Sequence, residues 1–348
     1  MRIEARRYTS GRIAVANLSA LIDSLELGGT EDVNFESLVA LSKLLFLRGD
    51  LLGRITDHDR GEFVANEAVA LSPDTEGAFY IHAQLTGRFH RFEEANQLLD
   101  QALVAGYSRQ EIDLERAALL QAMGKYSEAL ALRERLSKED PGIHTIGSLA
   151  TLLAEMGQWA IAETCYAAAI DADKGTSPIP CGQLLFEWGV SAMRGGDLDR
   201  AEEMFIELDA VLPGHVPGRG HRAEVALARG QMDLAAALII PVLEISDDPE
   251  YRGIYAEILA ARGDRENASE EAECAAAGYE LLLARRPEAY ADHAAAFFMG
   301  IGNRPDLAVS LASTNCRLRN TPRSRGLLER AKRNAKKFST IGAVSHER

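Results

Sequence analysis

A repeat of about 34 residues runs through most of this 348-residue sequence. The units at 124–141, 157–173, 196–213, 230–249 and 263–278 each begin with glycine and carry an alanine five residues later. With one flanking unit on each side, these alanines are separated by 34, 33, 39, 34, 33 and 40 residues; they are Ala95, Ala129, Ala162, Ala201, Ala235, Ala268 and Ala308. A period of this length predicts small units stacked end to end, each packing against its neighbours.

Composition and helix-breaking residues indicate that each unit is a pair of helices. Apolar residues make up 47% of the chain and aromatic residues only 6%, which favours close-packed helices over sheets. The leading glycine suits the end of a first helix, because a left-handed turn residue stops a helix at little cost. The alanine then lies early in a second helix, where a small side chain allows close approach. Pro73, Pro141 and Pro213 end second helices.

This pattern resembles that of the tetratricopeptide-repeat family, whose unit is two antiparallel helices joined by a tight turn. In the unit 182–215, the small and large signature residues of the family coincide with Leu185, Trp188, Gly189, Ala201, Phe205 and Pro213. The resemblance implies an all-α fold, a right-handed superhelix (α-solenoid) of about eight antiparallel hairpins with a capping helix at each end. It also implies that about that number of hairpins makes one superhelical turn, with the first helix of each hairpin lining the concave face.

We expect three segments: an N-terminal segment with a capping helix (1–36), the repeat array (37–321), and a basic capping helix with a tail (322–348). Within the array, the hairpins are expected at about 37–75, 76–109, 110–142, 143–181, 182–215, 216–248, 249–288 and 289–321. The wider spacings are explained by an added loop at 173–180 and by a second helix prolonged through 278–287.

The first hairpin departs from the pattern, because the turn after Gly49 is about seven residues longer than the repeat predicts. The extra segment carries Asp57, His58 and Asp59. We interpret it as a solvated polar loop, with a metal or partner site as the alternative.

Charge and motifs limit the classes of function. The net charge of −14 argues against a body that wraps nucleic acid or lies on an anionic membrane. No apolar run reaches the roughly 20 residues that a bilayer crossing needs. The four cysteines form no C-x-x-C pair, as expected in a reducing compartment, which favours a cytoplasmic protein. The common nucleotide, hydrolase and zinc-protease motifs are missing from the sequence, so we expect no catalysis, no cofactor and no metal.

A repeat array without catalytic motifs predicts a protein-protein interaction scaffold or adaptor that binds a peptide or helix in its concave groove. The hairpin register predicts which side chains face this groove. The candidates are Tyr80, Gln84, Arg88, Gln121, Glu155, Phe186 and Arg194.

A basic segment near the C-terminus supports the alternative hypothesis. Between Arg317 and Lys337 the chain has nine basic residues and one acidic residue, Glu329. This segment would suit a nucleic-acid-associated or regulatory protein, or a homodimer in which it meets the acidic body of a second copy. A capping helix whose cations face water is the preferred explanation of the same residues. The anion-binding candidates are Arg323, Arg325, Arg330 and Arg333.

Overall fold

The computed structural model describes residues 8–27 and 34–345, and every regular element within them is an α-helix. Helix α1 (Gly11–Leu27) precedes eight antiparallel hairpins, and α18 (Pro322–Ser345) follows them. The hairpins are α2 (Phe35–Leu52) with α3 (Ile55–Leu71), α4 (Glu76–Arg88) with α5 (Phe92–Ala105), α6 (Arg109–Ala122) with α7 (Tyr126–Glu139), α8 (Ile143–Glu155) with α9 (Trp159–Ala172), α10 (Ile179–Gly195) with α11 (Leu198–Val211), α12 (Val216–Ala228) with α13 (Met232–Leu243), α14 (Pro249–Ala261) with α15 (Arg265–Arg285), and α16 (Pro287–Met299) with α17 (Pro305–Leu318). We number the hairpins 1 to 8 in this order. The predicted all-α superhelix with eight hairpins and terminal helices is confirmed.

A residue with left-handed backbone separates the two helices of every hairpin. In hairpins 3 to 7 it is the glycine that the repeat predicts, with φ between 73° and 86°; these are Gly124, Gly157, Gly196, Gly230 and Gly263. Hairpins 1, 2 and 8 use Gly53, His90 and Asn303. In hairpin 5 the N–H groups of Gly196 and Asp197 donate to Met193 and Ala192, which satisfies carbonyls at the end of α10. The repeated turn conformation sets the geometry of the hairpins.

Hairpin 5 shows how the repeat residues pack. The ring of Phe205 lies only 2.6 Å from where a β-carbon would stand at Gly189, so the two helices approach closely at this glycine. Ala201 is fully buried beside them. Between hairpins 4 and 5, the ring of Tyr166 stacks on Trp188 with centroids 5.1 Å apart. The signature positions therefore supply contacts both within and between hairpins.

The prediction of an insertion after Gly49 is wrong. Helix α2 continues through Gly49 to Leu52, and Gly53 provides the turn. Gly49 has another role, because the ring of His58 occupies the space that a side chain would need there. Gly49 therefore accommodates a neighbouring side chain and does not end a helix.

Asp57, His58 and Asp59 consequently lie on the first turns of α3, and the expected solvated loop does not form. Asp57 accepts two hydrogen bonds from Arg48, at 2.6 and 2.7 Å. His58 Nε2 is 3.0 Å from Asp50 Oδ1. Asp59 accepts hydrogen bonds from the guanidinium groups of Arg285 and Arg286. The three side chains have separate partners. In the part of the chain that the structure describes, no cluster of histidine, cysteine and acidic residues could hold a metal ion.

The other departures from the repeat are as predicted. Helix α15 has 21 residues, and an irregular segment at 173–178 separates α9 from α10. The terminal helices bury apolar side chains against the array, Leu18 and Ile22 from α1 and Leu327 from α18. Parts of the predicted segment 1–36, and the last residues of the predicted tail, lie outside the described residues, so the three-part division stays a prediction. Within residues 8–27 and 34–345, no helix has both the length and the apolar character required to span a membrane.

Hairpin 1 contacts the connection between hairpins 6 and 7. The carboxylate of Asp247 accepts hydrogen bonds from the backbone N–H groups of Ile55 (2.5 Å) and Thr56 (3.1 Å). It therefore caps the start of α3, whose own N-cap residue, Arg54, makes no side-chain capping bond. The hydroxyl of Ser246 donates to the carbonyl oxygen of Gly53.

The same offset recurs along the array. The turn residue His90 of hairpin 2 contacts the carbonyl oxygen of Glu288 at the start of hairpin 8, at 2.9 Å. Gly124 in the turn of hairpin 3 abuts Asn320, which follows hairpin 8. About six hairpins therefore complete one superhelical turn, so the expectation of eight is corrected, and successive turns of the superhelix are in contact.

Candidate functional site

The closed superhelix surrounds a cavity of about 850 Å³. The first helices of seven of the eight hairpins contribute to its wall, and α4 of hairpin 2 does not. Arg133 from a second helix, α7, and Arg319 from the connection before α18 also line it. Charged and polar side chains reach this wall from both ends of the array, so the cavity is formed by distant hairpins together.

Four of the seven predicted groove residues line the cavity: Gln121, Glu155, Phe186 and Arg194. They belong to α6, α8 and α10, the first helices of three consecutive hairpins. The assignment of first helices to the concave face therefore places these four side chains where a ligand inside the superhelix would contact them.

Tyr80, Gln84 and Arg88 do not line the cavity, which corrects their predicted position. Tyr80 is 7% exposed and stacks on Tyr107 with ring centroids 4.2 Å apart. The amide of Gln84 is 3.4 Å from the Tyr80 hydroxyl. Arg88 donates two hydrogen bonds to Asp50, at 2.8 and 2.9 Å. Tyr80 and Arg88 therefore contact residues outside α4, Tyr107 and Asp50, and Gln84 contacts Tyr80 within the helix.

No protein-family model matches the sequence, and no curated protein matches it. Many solved structures do match it. A tetratricopeptide repeat protein from Parabacteroides merdae is 17% identical, with 81% of this chain and 98% of that chain covered and a TM-score of 0.46. The human IFIT1 dimer with PPP-AAAA is 13% identical, with 82% of this chain and 73% of that chain covered and a TM-score of 0.53. A chain of the APC/C hetero-tetramer Cut9-Hcn1 is 16% identical, with 92% of this chain and 58% of that chain covered and a TM-score of 0.50. The chain has the fold of these last two structures, an α-solenoid of antiparallel hairpins of the tetratricopeptide-repeat type.

At one end of the cavity, two arginines have no ion-pair partner among the described residues. Arg133 is only 8% exposed, and its Nε has no hydrogen-bond partner. Arg194 is surrounded by protein but is exposed to the open space of the cavity. Among the described residues, neither guanidinium group has a carboxylate oxygen within 4.0 Å. Burial lowers the pKa of each to about 10, which still leaves both positively charged at neutral pH.

Two carboxylates lie near these arginines without pairing directly with them. Burial raises the pKa of Glu187, and the charge of Arg194 opposes this effect. Burial and the charge of Glu155 raise the pKa of Tyr126 to about 12. These two carboxylates reduce the positive potential at this end of the cavity but do not form direct ion pairs with the arginines.

Asp292 connects Arg319 to a second charged group, on α14 and α16. It forms ion pairs with Arg319 (3.3 Å) and with His293 Nε2 (3.9 Å). His293 Nδ1 is 3.2 Å from Glu250. The charges of Glu250 and Asp292 raise the pKa of His293 to about 10, so this histidine is protonated at neutral pH. Burial raises the pKa of the neighbouring Asp248, and the charge of Glu250 raises it further.

Phe186 is one of several apolar side chains in the wall, which also contains Leu184 and Ile254. Its ring lies 5.0 Å from the ring centroid of His215 and 5.6 Å from that of His221. His215 Nδ1 accepts a hydrogen bond from the backbone N–H of Gly218 at 3.0 Å. Burial lowers the pKa of His215 to about 4, so the ring is neutral and stacks as an uncharged group.

The four anion-binding candidates of α18 are all exposed, and they differ in position. Arg323 is near the cavity, because its charge adds to the lowering of the pKa of Arg194. Arg325 donates to the backbone and side-chain oxygens of Asn320, at 3.1 and 2.7 Å. Arg330 and Arg333 lie one and two turns farther along the helix from Arg325. Only the start of α18 therefore belongs to the cavity region.

Sequence reasoning missed two of the cavity arginines. Arg319 lies in the basic segment between Arg317 and Lys337, so its charge was a signal that could have identified it. Arg133 gave no such signal, because the repeat register assigns second helices to the outer layer.

Proposed function

We propose that this protein is a non-enzymatic scaffold or adaptor whose central cavity holds a short peptide segment of a partner protein. The supporting observation is the cavity itself, which has an open interior lined by both polar and apolar side chains from seven hairpins. Its volume of about 850 Å³ is within the range of about 300–1,000 Å³ typical of ligand pockets.

The chemistry of the wall supports a peptide ligand. An extended peptide presents backbone N–H and C=O groups that need polar partners, and Gln121, Glu155 and the charged residues around them offer such partners. Phe186 offers a partly exposed aromatic surface, and aromatic and arginine side chains contribute most to interface affinity. The wall is built on helices, so little conformational entropy is lost when a ligand is bound.

The test is affinity selection of random-sequence hexapeptides on the immobilised full-length protein. Phe186→Ala combined with Arg194→Ala is expected to weaken binding of the selected peptides at least tenfold, about 1.4 kcal/mol. The matched control is Ile206→Ala with Arg252→Ala, because Ile206 is exposed on α11 and Arg252 pairs with Glu271 on the side of α14 that faces α15. Circular dichroism of both variants checks helicity. Equal binding by both double variants would contradict the proposal.

A further inference from the structure

Helix α18 has two faces of different character. Its buried side chains, Ser324, Leu327 and Ala331, recur at intervals of three and four residues and pack against hairpin 8. Among residues 322–337, no large apolar side chain is exposed. One face of α18 therefore caps the array, and the other face is open to solvent.

The open face carries two rows of cations, and all six side chains are exposed. The first row is Arg323, Arg330 and Lys337, and the second row is Arg325, Lys332 and Lys336. Because an α-helix turns by about 100° per residue, the two rows are about 140° apart around the helix axis. Residues seven apart within a row are separated by about 10 Å along the axis. The rows therefore flank the direction that points away from hairpin 8.

The rest of the chain does little to neutralise these cations. Among the described residues, no carboxylate oxygen lies within 4.0 Å of the nitrogen atoms of the first row. Arg325 donates only to uncharged oxygens, those of Asn320. Glu329, the one acidic residue on this face, pairs with Lys332 at 3.2 Å. Like charges held this close together attract a polyanion.

We infer that the open face of α18 binds double-stranded B-form DNA, with the helix in the major groove and one cation row against each phosphate backbone. The major groove is about 12 Å wide and admits an α-helix. The two rows flank the helix, so each row faces the strand that borders its side of the groove. Arg333 lies between the rows and faces the groove floor. Since only the start of α18 is near the cavity, this inference does not depend on the proposed function.

Other polyanions fit this face less well. An amphipathic helix binds a membrane by inserting apolar side chains, whereas α18 packs its own against hairpin 8. The segment 317–337 carries +8 and the remainder of the chain −22, so a flat anionic membrane would also repel the body. A DNA duplex is a narrow rod that contacts α18 alone. The major groove of A-form RNA is too narrow for side chains to enter.

The test is fluorescence anisotropy of a labelled 20-base-pair DNA duplex of mixed sequence, titrated with the full-length protein at 50 mM and 200 mM NaCl. Six phosphate contacts predict that the affinity falls about a thousandfold between these salt concentrations. Absence of binding at 50 mM, or an affinity that salt leaves unchanged, would overturn the inference.

Two charge-matched variants separate the cation row from net charge. The row variant combines Arg323→Gln, Arg330→Gln and Lys337→Gln. The control variant removes exposed cations from α6, α7 and α15 by combining Arg109→Gln, Lys138→Gln and Arg265→Gln. The row variant should bind at least tenfold more weakly at 50 mM NaCl, and its salt slope should be smaller by about 3. The control variant should bind like the wild type.

Circular dichroism checks that both variants keep their helices, as substitutions at exposed positions should. An equal loss of affinity in both variants would assign binding to net charge and overturn the inference. The same titration with an RNA duplex of matching sequence should give at least tenfold weaker binding, because α18 cannot enter its major groove. Vesicles of phosphatidylserine and phosphatidylcholine, at the same phosphate concentration, should not co-sediment with the protein. Equal or tighter binding to the RNA duplex or to the vesicles would overturn the inference.

Discussion

Replacing Gly53 by alanine tests the contact that closes the superhelix. Gly53 lies in the turn of hairpin 1 with φ of 61°, a conformation that side chains disfavour. A β-carbon there would lie 2.8 Å from Ser246 Oγ, 2.8 Å from the ring of Tyr251 and 3.0 Å from Val216. Two costs follow, one from the backbone and one from the clash with hairpins 6 and 7.

The two costs can be separated by a matched variant. Gly196 has a φ of 86°, and a β-carbon there would meet nothing within 4 Å, so Gly196→Ala carries only the backbone cost of about 1–2 kcal/mol. Gly53→Ala adds the cost of overpacking, about 1–3 kcal/mol. We therefore expect a total loss of about 2–5 kcal/mol for Gly53→Ala, with the difference between the variants reporting on closure.

The assay is guanidinium denaturation of the full-length variants, combined with small-angle X-ray scattering of the folded proteins. Gly53→Ala should unfold at a lower denaturant concentration than Gly196→Ala and should show a larger radius of gyration, because hairpin 1 moves away from hairpins 6 and 7. Equal midpoints and equal radii for the two variants would refute the closed arrangement.

Three further predictions concern stability. Ala201→Leu should destabilise the protein by about 1–3 kcal/mol, because the alanine is fully buried between close-packed helices; an unchanged melting temperature would show that the packing is different. Asp247→Ala removes the cap of α3 and should cost about 1 kcal/mol in chemical denaturation, whereas an unchanged midpoint would argue against the capping contact. His215 has a folded pKa of about 4, below its ordinary value, so the folded protein binds fewer protons than the unfolded chain and loses stability as the pH falls through about 6.5 to 4. His215→Asn should reduce this loss by up to about 3 kcal/mol, and identical pH profiles of stability for variant and wild type would contradict it.

The hairpins were predictable from the sequence because each one is local. A glycine that ends a helix, an alanine five residues later and a proline after the second helix act within one unit, so Gly196, Ala201 and Pro213 are sufficient to locate hairpin 5. Gly49 misled the prediction because the function of a glycine depends on its three-dimensional neighbours. Its space is filled by His58, which the sequence does not show.

The sequence predicted only some of the residues in the cavity wall, because the wall depends on contacts between distant parts of the chain. The rule that first helices face inward predicts Glu155 and Phe186 in the groove, and both line the cavity. It also placed Tyr80 there, but the rule contains no information on how tightly the superhelix winds. Arg133 reaches the cavity from a second helix. Arg319 reaches it from the connection before α18, almost two hundred residues later in the sequence. Neither position follows from a 34-residue pattern.

Closure of the superhelix and formation of the site depend on the same contacts. Gly53 and His58 of hairpin 1 line the cavity, and hairpin 1 is held in place by Asp247 and Ser246 between hairpins 6 and 7. Arg319 enters from the C-terminal end of the array. Repeat arrays are normally stabilised by contacts between neighbours alone. Here contacts between hairpins five or more units apart complete the wall, so a shorter array of the same repeats would keep its helices and lose its cavity.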